Sequence, residues 1–157
     1  GKVVDIDDHH EMISSGYASM TPWRCPRDIS EEELMKRIDD MVAKLKNPSS
    51  SIFNLHCPPY GTLLDTAPQL DHNLRPKLSA SGGPMMAPAG SKSVRAALEK
   101  YQPMLGLHGH IHESKGFCMI GKTMCVNPGS EYTEGILRGF LAELTEDRVK
   151  DYLFVSG

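Results

Sequence analysis

The sequence lacks any apolar run near the roughly 18 residues needed to cross a membrane, and no signal-peptide pattern opens it. It also lacks a surplus of basic residues, because its net charge is -3. That balance disfavours nonspecific binding to nucleic acid and a polybasic contact with membranes. Internal repeats are absent, and the hydrophobic and charged fractions, 39% and 24%, are typical of globular proteins.

Cysteine is scarce, and none of the four cysteines forms the C-x-x-C spacing of a zinc site. If Gly121-Lys122 is a two-residue hairpin turn, Cys118 lies opposite Cys125 with Cα atoms about 5.5 Å apart. A disulfide is conceivable there, but reduced packing in a cytosolic protein is favoured. We therefore expect a cytoplasmic protein. Cys57 could be a soft metal ligand, although spacing the backbone is its favoured role.

Histidine, by contrast, is concentrated in one short segment. Three of the seven histidines, His108, His110 and His112, occupy alternate positions directly after an apolar run. In an extended segment, residues two apart point to the same face, so His110 and His112 would reach into one small volume. Imidazoles gathered at a strand end suit a divalent transition metal such as zinc, manganese or iron. An idle cluster on a surface turn is the alternative.

A fourth histidine follows a different apolar segment. Residues Ser51 to Leu55 have the pattern of a buried strand, and His56 comes directly after it. In open α/β sheets, ligand sites lie at the carboxyl ends of the strands. Pro58 and Pro59 then stop the strand and stiffen the turn, which fixes the direction of the imidazole. A lone histidine would be interpreted as a strand cap, but two independent strands that deliver histidines to one edge favour a metal site.

These residues make the sequence resemble the second half of a calcineurin-like metallophosphoesterase. The resemblance begins near Thr21, runs to the C-terminus and rests on His56-Cys57-Pro58-Pro59, Gly109-His110-Ile111-His112 and Asn127-Pro128-Gly129-Ser130. It implies an α/β (α+β) fold, a partial β-sandwich of mixed sheets with flanking helices. It also implies two divalent metal ions (Mn, Fe or Zn) in the complete site, and hydrolysis of phosphate mono- or diesters through a metal-bound hydroxide.

The same resemblance assigns the site residues. His56 and His110 would bind one metal and His112 the other, and no catalytic residue beyond these ligands is implied. The turn from Asn127 to Ser130 would shape the backbone beside the site rather than act chemically.

The family's motifs upstream of His56 are absent. No Gly-Asp dipeptide, which would supply a bridging aspartate, occurs in the sequence. The segment Asp7–His10 contains Asp-x-His, but too few residues separate it from His56 for the intervening βαβ units, so we interpret it as an exposed polar turn. We predict that residues 1–157 form a single incomplete domain, the C-terminal half. A missing N-terminal segment or a partner chain, as in a homo-oligomer, would complete the site, and the isolated chain would be weak or inactive.

Two helices and several strands are predicted around these motifs. A capping box at Ser30 starts a helix that runs to about Lys46, with acidic residues in its first turn and lysines in its last. A second helix runs from about Ser91 to Tyr101; Ser91 is its N-cap, with a phosphate-binding role as the alternative. Strands are predicted at residues 116–120, 123–126, 137–144 and 149–155, the last two flanking a hairpin turn.

The segment from Asp65 to Gly90 is rich in Pro, Gly, Ala and Ser and has no periodicity. A loop of that length in a compact domain is usually functional or disordered. We expect Tyr60 and the segment Asp71–Asn73, which contains His72, to form part of a substrate rim, with disorder as the equal alternative for residues 79–89. The substrate would be a small phosphate ester or a phosphoprotein.

Two classes of function follow from these observations. The first is a metal-dependent phosphoesterase, and the second is a metallophosphoesterase-like scaffold that binds proteins without catalysis. Three placed histidines serve no obvious purpose in a scaffold, so they favour the enzyme.

Overall fold

The computed structural model describes residues 2–157 and confirms the predicted α+β class. A six-stranded mixed sheet forms the centre of the molecule. Two helices pack on one face of this sheet, and a two-stranded ribbon packs on the other. The described residues therefore form three layers, helices, sheet and ribbon.

The helices are α1 (Glu31–Val42) and α2 (Lys92–Tyr101). The strands are β1 (Lys2–Asp5), β2 (Glu11–Ser15), β3 (Ala18–Ser19), β4 (Asp28–Ile29), β5 (Ile52–Leu55), β6 (Thr66–Pro68), β7 (Met86–Pro88), β8 (Leu105–Leu107), β9 (Gly116–Ile120), β10 (Thr123–Asn127), β11 (Arg138–Leu144) and β12 (Val149–Ser156). Neither helix is long and apolar enough to cross a membrane.

The central sheet has the order β1-β2-β5-β8-β10-β9. Its four inner strands, β2, β5, β8 and β10, run parallel, and the two edge strands pair antiparallel. Because parallel strands end at the same edge, the residues that follow β2, β5, β8 and β10 are brought together there. This edge is where His56 and the later histidines emerge.

Alternating residues of the sheet build two separate cores. On β5, Phe53 is fully buried against the helices, whereas its neighbour Ile52 faces the ribbon. Leu34 and Ile38 of α1 and Leu98 of α2 fill the helix-side core. Burial of one such side chain contributes about 1.5–3 kcal/mol to folding. The period-two alternation therefore holds the two layers on opposite faces of one sheet.

Helix α1 begins as predicted and ends earlier than predicted. Ser30 caps it, since its side chain accepts a hydrogen bond from Glu33 N, but the helix stops at Val42 rather than near Lys46. Its last turn consequently holds no basic residue, so the predicted interaction of lysines with the helix dipole is wrong. Leu45 lies beyond the helix and still packs against the core.

The segment from Asp65 to Gly90 has regular structure that the sequence did not indicate. Strands β6 and β7 pair antiparallel, and further bridges join Leu70 to Pro76 and Leu78 to Pro84. The segment is thus a long, folded-back arm rather than a structureless loop. The order of this segment comes from backbone pairing and not from a hydrophobic pattern in its sequence.

The polar turn between β1 and β2 is exposed at Asp7, Asp8 and His9, but His10 is buried. The Nδ1 atom of His10 lies 2.7 Å from Asp7 Oδ2, and its Nε2 atom lies 3.0 Å from the carbonyl oxygen of Thr145. The prediction of an exposed turn is therefore wrong for His10, which joins this turn to the one between β11 and β12. The hydrogen bond to His10 lowers the pKa of Asp7 to about 2.

Candidate metal-binding site

His56 lies directly after β5, at the edge where the parallel strands end. Its backbone is held on both sides, because His56 N donates to Ser15 O at 3.0 Å and Gly109 N donates to His56 O at 3.0 Å. The backbone of His56 is therefore fixed by contacts to β2 and to the loop after β8. The prediction that the strand would place a histidine at this edge agrees with the structure.

His110 reaches the same place by a different route from the one predicted. Strand β8 ends at Leu107, and His110 has a φ of 64°, so the segment is a turn rather than an extended strand. The expectation that His110 and His112 share one face of a strand is therefore wrong. A left-handed conformation costs a residue that is not glycine about 1–2 kcal/mol and persists only where the surroundings determine it.

The turn places the ring of His110 against that of His56. The His110 Nδ1 and His56 Nε2 atoms are 3.3 Å apart. The ring centroids are separated by 5.0 Å, and the ring planes meet at 75°. Two ring nitrogen atoms from segments that follow different strands, β5 and β8, thus lie next to each other, and the assignment of both residues to one metal stays a prediction.

The surroundings favour neutral rings. Burial lowers the pKa of His56, and the neighbouring His110 and Arg27 lower it further. Burial also lowers the pKa of His110, although the Asp28 carboxylate opposes that effect. Neutral imidazole is the form that binds metal ions, since protonation removes the nitrogen lone pair.

His112 is near enough to contribute to the lowered pKa values of His56 and His110, but no hydrogen bond among the described residues joins its ring to either of them. Its exposed ring stands edge-on to Tyr132, with the centroids 5.4 Å apart. It lines a cleft of about 380 Å³ together with Lys115 and Arg138. Within residues 2–157, no group of three or more His, Cys, Asp or Glu side chains is arranged to hold a metal ion. The structure therefore brings together two of the three expected ligands.

His108 is buried, and the sequence analysis gave it no role apart from the cluster. Its Nδ1 atom lies 2.9 Å from the carbonyl oxygen of Leu55 and 3.1 Å from that of Cys57. Burial lowers the pKa of His108 to about 4, so the ring is neutral and Nδ1 donates to both carbonyls. The alternating histidine pattern could not distinguish this residue from its neighbours, because only tertiary burial separates them.

Asn127, at the end of β10, is also buried and contacts the backbone beside His110. Its Nδ2 atom donates to the carbonyl oxygens of Gly109 at 3.3 Å and of Ile111 at 2.8 Å. Its Oδ1 atom accepts from Gly129 N at 2.9 Å. These contacts agree with the expectation that the segment from Asn127 to Ser130 shapes the backbone near the site.

Arg27 and Asp28 are charged residues near the pair that the sequence analysis missed. They influence the pKa values of His56 and His110, respectively. Asp28 begins the short strand β4, and its carboxylate accepts hydrogen bonds from the backbone N–H groups of Thr21 and Cys25 at 3.0 and 2.9 Å. Nothing in the spacing of this segment marks it as part of the site, because only the fold brings it near the histidines.

Of the two residues expected at a substrate rim, His72 lies on the arm and Tyr60 lies shortly before it in the sequence. Tyr60 is partly exposed, and the Lys92 Nζ atom lies 5.4 Å from the centre of its ring. His72 is exposed and hydrogen-bonds its neighbour Asn73 at 3.0 Å. In the described part of the chain, no hydrogen bond links His72 to the histidine pair.

The cysteines lie outside this arrangement. Cys57 is fully buried against Ser19, with their Sγ and Oγ atoms 3.6 Å apart, and burial raises the pKa of its thiol. Its side chain therefore packs in the core, and the predicted role of Cys57 in spacing the backbone stays a prediction. Cys118 pairs with Cys125 in the predicted register, and all four thiols are free.

Comparisons with known proteins show likeness to longer chains. No protein-family model matches the sequence. The uncharacterized protein MJ1162 of Methanocaldococcus jannaschii is 33% identical over 119 residues, which are 74% of this chain and 46% of that protein. The chain therefore spans about half the length of the curated relative that it matches.

Solved structures share the fold at low identity. One crystal structure matches 98% of this chain and 48% of its own, with a TM-score of 0.58 and 21% identity. TT1561 of Thermus thermophilus matches 94% of this chain and 52% of its own, with a TM-score of 0.52 and 16% identity. The sulfate thiohydrolase SoxB of the same genus, in complex with glycerol, has a TM-score of 0.47 at 14% identity. The first two show that the α+β fold of this chain occurs within longer proteins.

Proposed function

We propose that this chain is part of a metal-dependent phosphoesterase, in which His56 and His110 bind one divalent cation. The separation of 3.3 Å between His110 Nδ1 and His56 Nε2 carries this proposal. Two nitrogen ligands at about 2.0–2.1 Å from one tetrahedral zinc ion are roughly 3.3 Å apart. The pair therefore has the spacing of two positions in a single coordination sphere.

The placement and charge state of the pair support the same function. Both rings emerge where parallel strands end, which is the usual location of ligand sites in sheets of this kind. Burial lowers the pKa values of both histidines, so the rings are available as ligands at neutral pH. Bound manganese, iron or zinc ions would supply an activated water and would offset charge on a phosphate ester.

Two histidines do not complete a site for two cations. In this proposal His112, two residues beyond His110, contributes to a second cation together with ligands from outside residues 2–157. The lengths of the matched proteins support such a division, because this chain covers 46–52% of MJ1162 and of the two structures with the higher TM-scores. Residues elsewhere in a longer protein, or a partner chain, would provide the carboxylates that offset the metal charges.

The substrate in this proposal is a phosphate mono- or diester, either a small molecule or a phosphoprotein. Tyr60 and His72 would contact the part of the substrate that lies away from the cation. The free thiols agree with a reducing, cytoplasmic setting for the protein.

Metal titration of the full chain tests the proposed ligands. We expect His56→Ala and His110→Ala each to weaken zinc binding at least 10-fold, because either change removes one nitrogen of the pair. His72→Ala is the matched control, since His72 is also an exposed histidine and lies on the arm. Isothermal titration calorimetry measures the three affinities against the unsubstituted chain. Equal binding by all four proteins would overturn the assignment.

Activity is tested on the longer protein rather than on this chain alone. Purified with manganese, iron or zinc, it should hydrolyse p-nitrophenyl phosphate or the corresponding bis-ester, and His56→Ala should abolish turnover. A metal-free longer protein with no hydrolytic activity that captures a protein partner would favour the scaffold instead.

A further inference from the structure

The carbonyl groups on both sides of His56 are held by a single buried side chain. Strand pairing between β5 and β8 ends at Asn54 and Leu107, and beyond it Gly109 N donates to His56 O rather than to the carbonyl of Leu55 or Cys57. The His108 Nδ1 atom lies 2.9 Å from Leu55 O and 3.1 Å from Cys57 O. One ring therefore fixes the carbonyl groups of the residue before His56 and of the residue after it.

The same arrangement recurs at His110 with a different side chain. Asn127 Nδ2 donates to Gly109 O and Ile111 O, the carbonyls of the residue before His110 and of the residue after it. Asn127 is fully buried. For both His56 and His110, the carbonyls of the preceding residue and of the following residue thus accept hydrogen bonds from one buried side chain.

A histidine at position 108 carries a cost. Its Nε2 atom is buried and has no hydrogen-bond partner among the described residues. An unpaired buried polar atom costs about 1–3 kcal/mol, and the hydrogen bonds from Nδ1 to the two carbonyls offset that cost. Gly106 also leaves the space that the ring needs, because a Cβ atom there would lie 2.8 Å from His108 Nε2. The Nδ1 contacts are what a histidine adds at this position.

We propose that His108 and Asn127 are positioning residues, which set His56 and His110 face to face before any cation binds. This inference rests on the proposed function for its purpose, but the geometry it predicts exists in the metal-free chain. The gain is preorganisation: a site whose ligands are already placed loses less conformational entropy when the cation enters. Residues that orient metal ligands in this way typically change affinity 10–100-fold when they are replaced.

The first test compares His108→Asn with His108→Gln in the full chain. Both substitutions introduce an amide, but the asparagine N–H group lies near the position of Nδ1 and the glutamine N–H group lies near that of Nε2. We expect His108→Asn to retain the nuclear Overhauser effect between the His56 and His110 rings and to bind zinc within about 3-fold of the unsubstituted chain. His108→Gln should lose the effect and bind zinc 10–100-fold more weakly. Identical behaviour of the two variants would overturn the role of His108.

Asn127→Asp provides the corresponding test at His110. The aspartate keeps an acceptor for Gly129 N but loses the Nδ2 donor, so the turn at Gly129 is preserved while the carbonyls beside His110 are released. We expect the same loss of the inter-ring effect and of zinc affinity. An unchanged inter-ring effect in a folded Asn127→Asp chain would contradict the proposal.

A measurement on the unsubstituted chain covers the case in which the variants fail to fold. Nitrogen-15 spectra should show His108 protonated at Nδ1 and not at Nε2, with scalar couplings through the hydrogen bonds to Leu55 and Cys57. Protonation at Nε2 would overturn the inference. If these signals appear and zinc does not bind, the proposed function fails and the positioning stands. If zinc binds equally to all folded variants, the positioning fails and the function stands.

Discussion

At the scale of single residues, Gly106 shows how closely the site is packed. It lies in the middle of β8, and an added Cβ atom would approach His108 Nε2 to 2.8 Å, and Cys125 Sγ and Leu98 Cδ2 to 3.4 Å each. Those neighbours belong to the positioning residue and to the core beneath it. We therefore expect an added methyl group at this position to lower the stability of the fold and to displace the histidine pair.

We predict that Gly106→Ala destabilises the fold by about 1–2 kcal/mol. Overpacking costs about 1–3 kcal/mol, and the entropy gained by replacing glycine offsets about 0.4–1 kcal/mol of it. Urea unfolding measures the difference. Gly83→Ala is the matched control, because its added Cβ would meet only Ser79 Oγ, at 4.0 Å. A Gly106→Ala chain as stable as the control would show that His108 has room to move.

At the scale of elements, the two helices are joined through Glu31. The Glu31 carboxylate, at the start of α1, accepts hydrogen bonds from Ser91 Oγ, Lys92 N and Ser93 N at 2.7, 3.0 and 2.9 Å. It therefore occupies the N-terminus of α2, where an anion is favoured. The alternative of a phosphate site at Ser91 is wrong, because a side chain of the protein already fills that position.

The same contact predicts a pH dependence. Burial opposes ionisation of Glu31, but hydrogen bonds from Ser91 and Ser93 outweigh it, so the pKa of Glu31 lies below its ordinary value of 4.5. A lowered carboxyl pKa stabilises the fold above that ordinary value, and the stabilisation is lost as the pH falls through the folded-state pKa.

We predict that Glu31→Gln costs about 0.5–2 kcal/mol at pH 7, the range for losing a helix cap, and costs less near pH 3. Urea unfolding at the two pH values measures this. Glu32→Gln, an exposed neighbour in the same helical turn, should change stability by less than about 0.5 kcal/mol at either pH. A cost for Glu31→Gln that stays constant between the two pH values would contradict the role assigned to its charge.

At the scale of the whole molecule, the sheet and the ribbon are held by packing and by one polar contact. Phe140 and Phe154 of the ribbon cover Leu105 and Val126 of the sheet. At one end, His10 links Asp7 on the sheet side to the Thr145 carbonyl in the ribbon turn. The imidazole is buried there. Its loss would remove the hydrogen bonds to Asp7 and to the Thr145 carbonyl.

We predict that His10→Ala lowers stability by about 1–3 kcal/mol and accelerates amide exchange between Thr145 and Arg148. Hydrogen-exchange mass spectrometry and urea unfolding measure the two effects. His9→Ala is the control, since His9 is exposed and contacts the same turn at Glu146, 3.6 Å away, in a surface contact of little energetic weight. Unchanged exchange in the ribbon turn of His10→Ala would show that apolar packing alone holds the two layers.

Much of the fold and part of the site could be predicted from local pattern. The caps at Ser30 and Ser91, the strand before His56 and the hairpin register of Cys118 with Cys125 follow from rules that act over a few residues. The order within the arm of residues 65–90 could not be predicted, because no alternation of apolar and polar residues marks the segments that form its backbone pairs.

The histidines show what local sequence pattern can predict and what depends on the tertiary structure. By itself, the sequence determined that His56 and the later cluster follow strands, because hydrophobic pattern and proline placement act locally. Only the tertiary structure decided their separate roles: His110 turns to meet His56, His108 is buried beneath them, and His112 stands beside Tyr132. The physical reason is that burial and the left-handed turn at His110 depend on partners such as Leu55 and Asn127, which are distant in the chain.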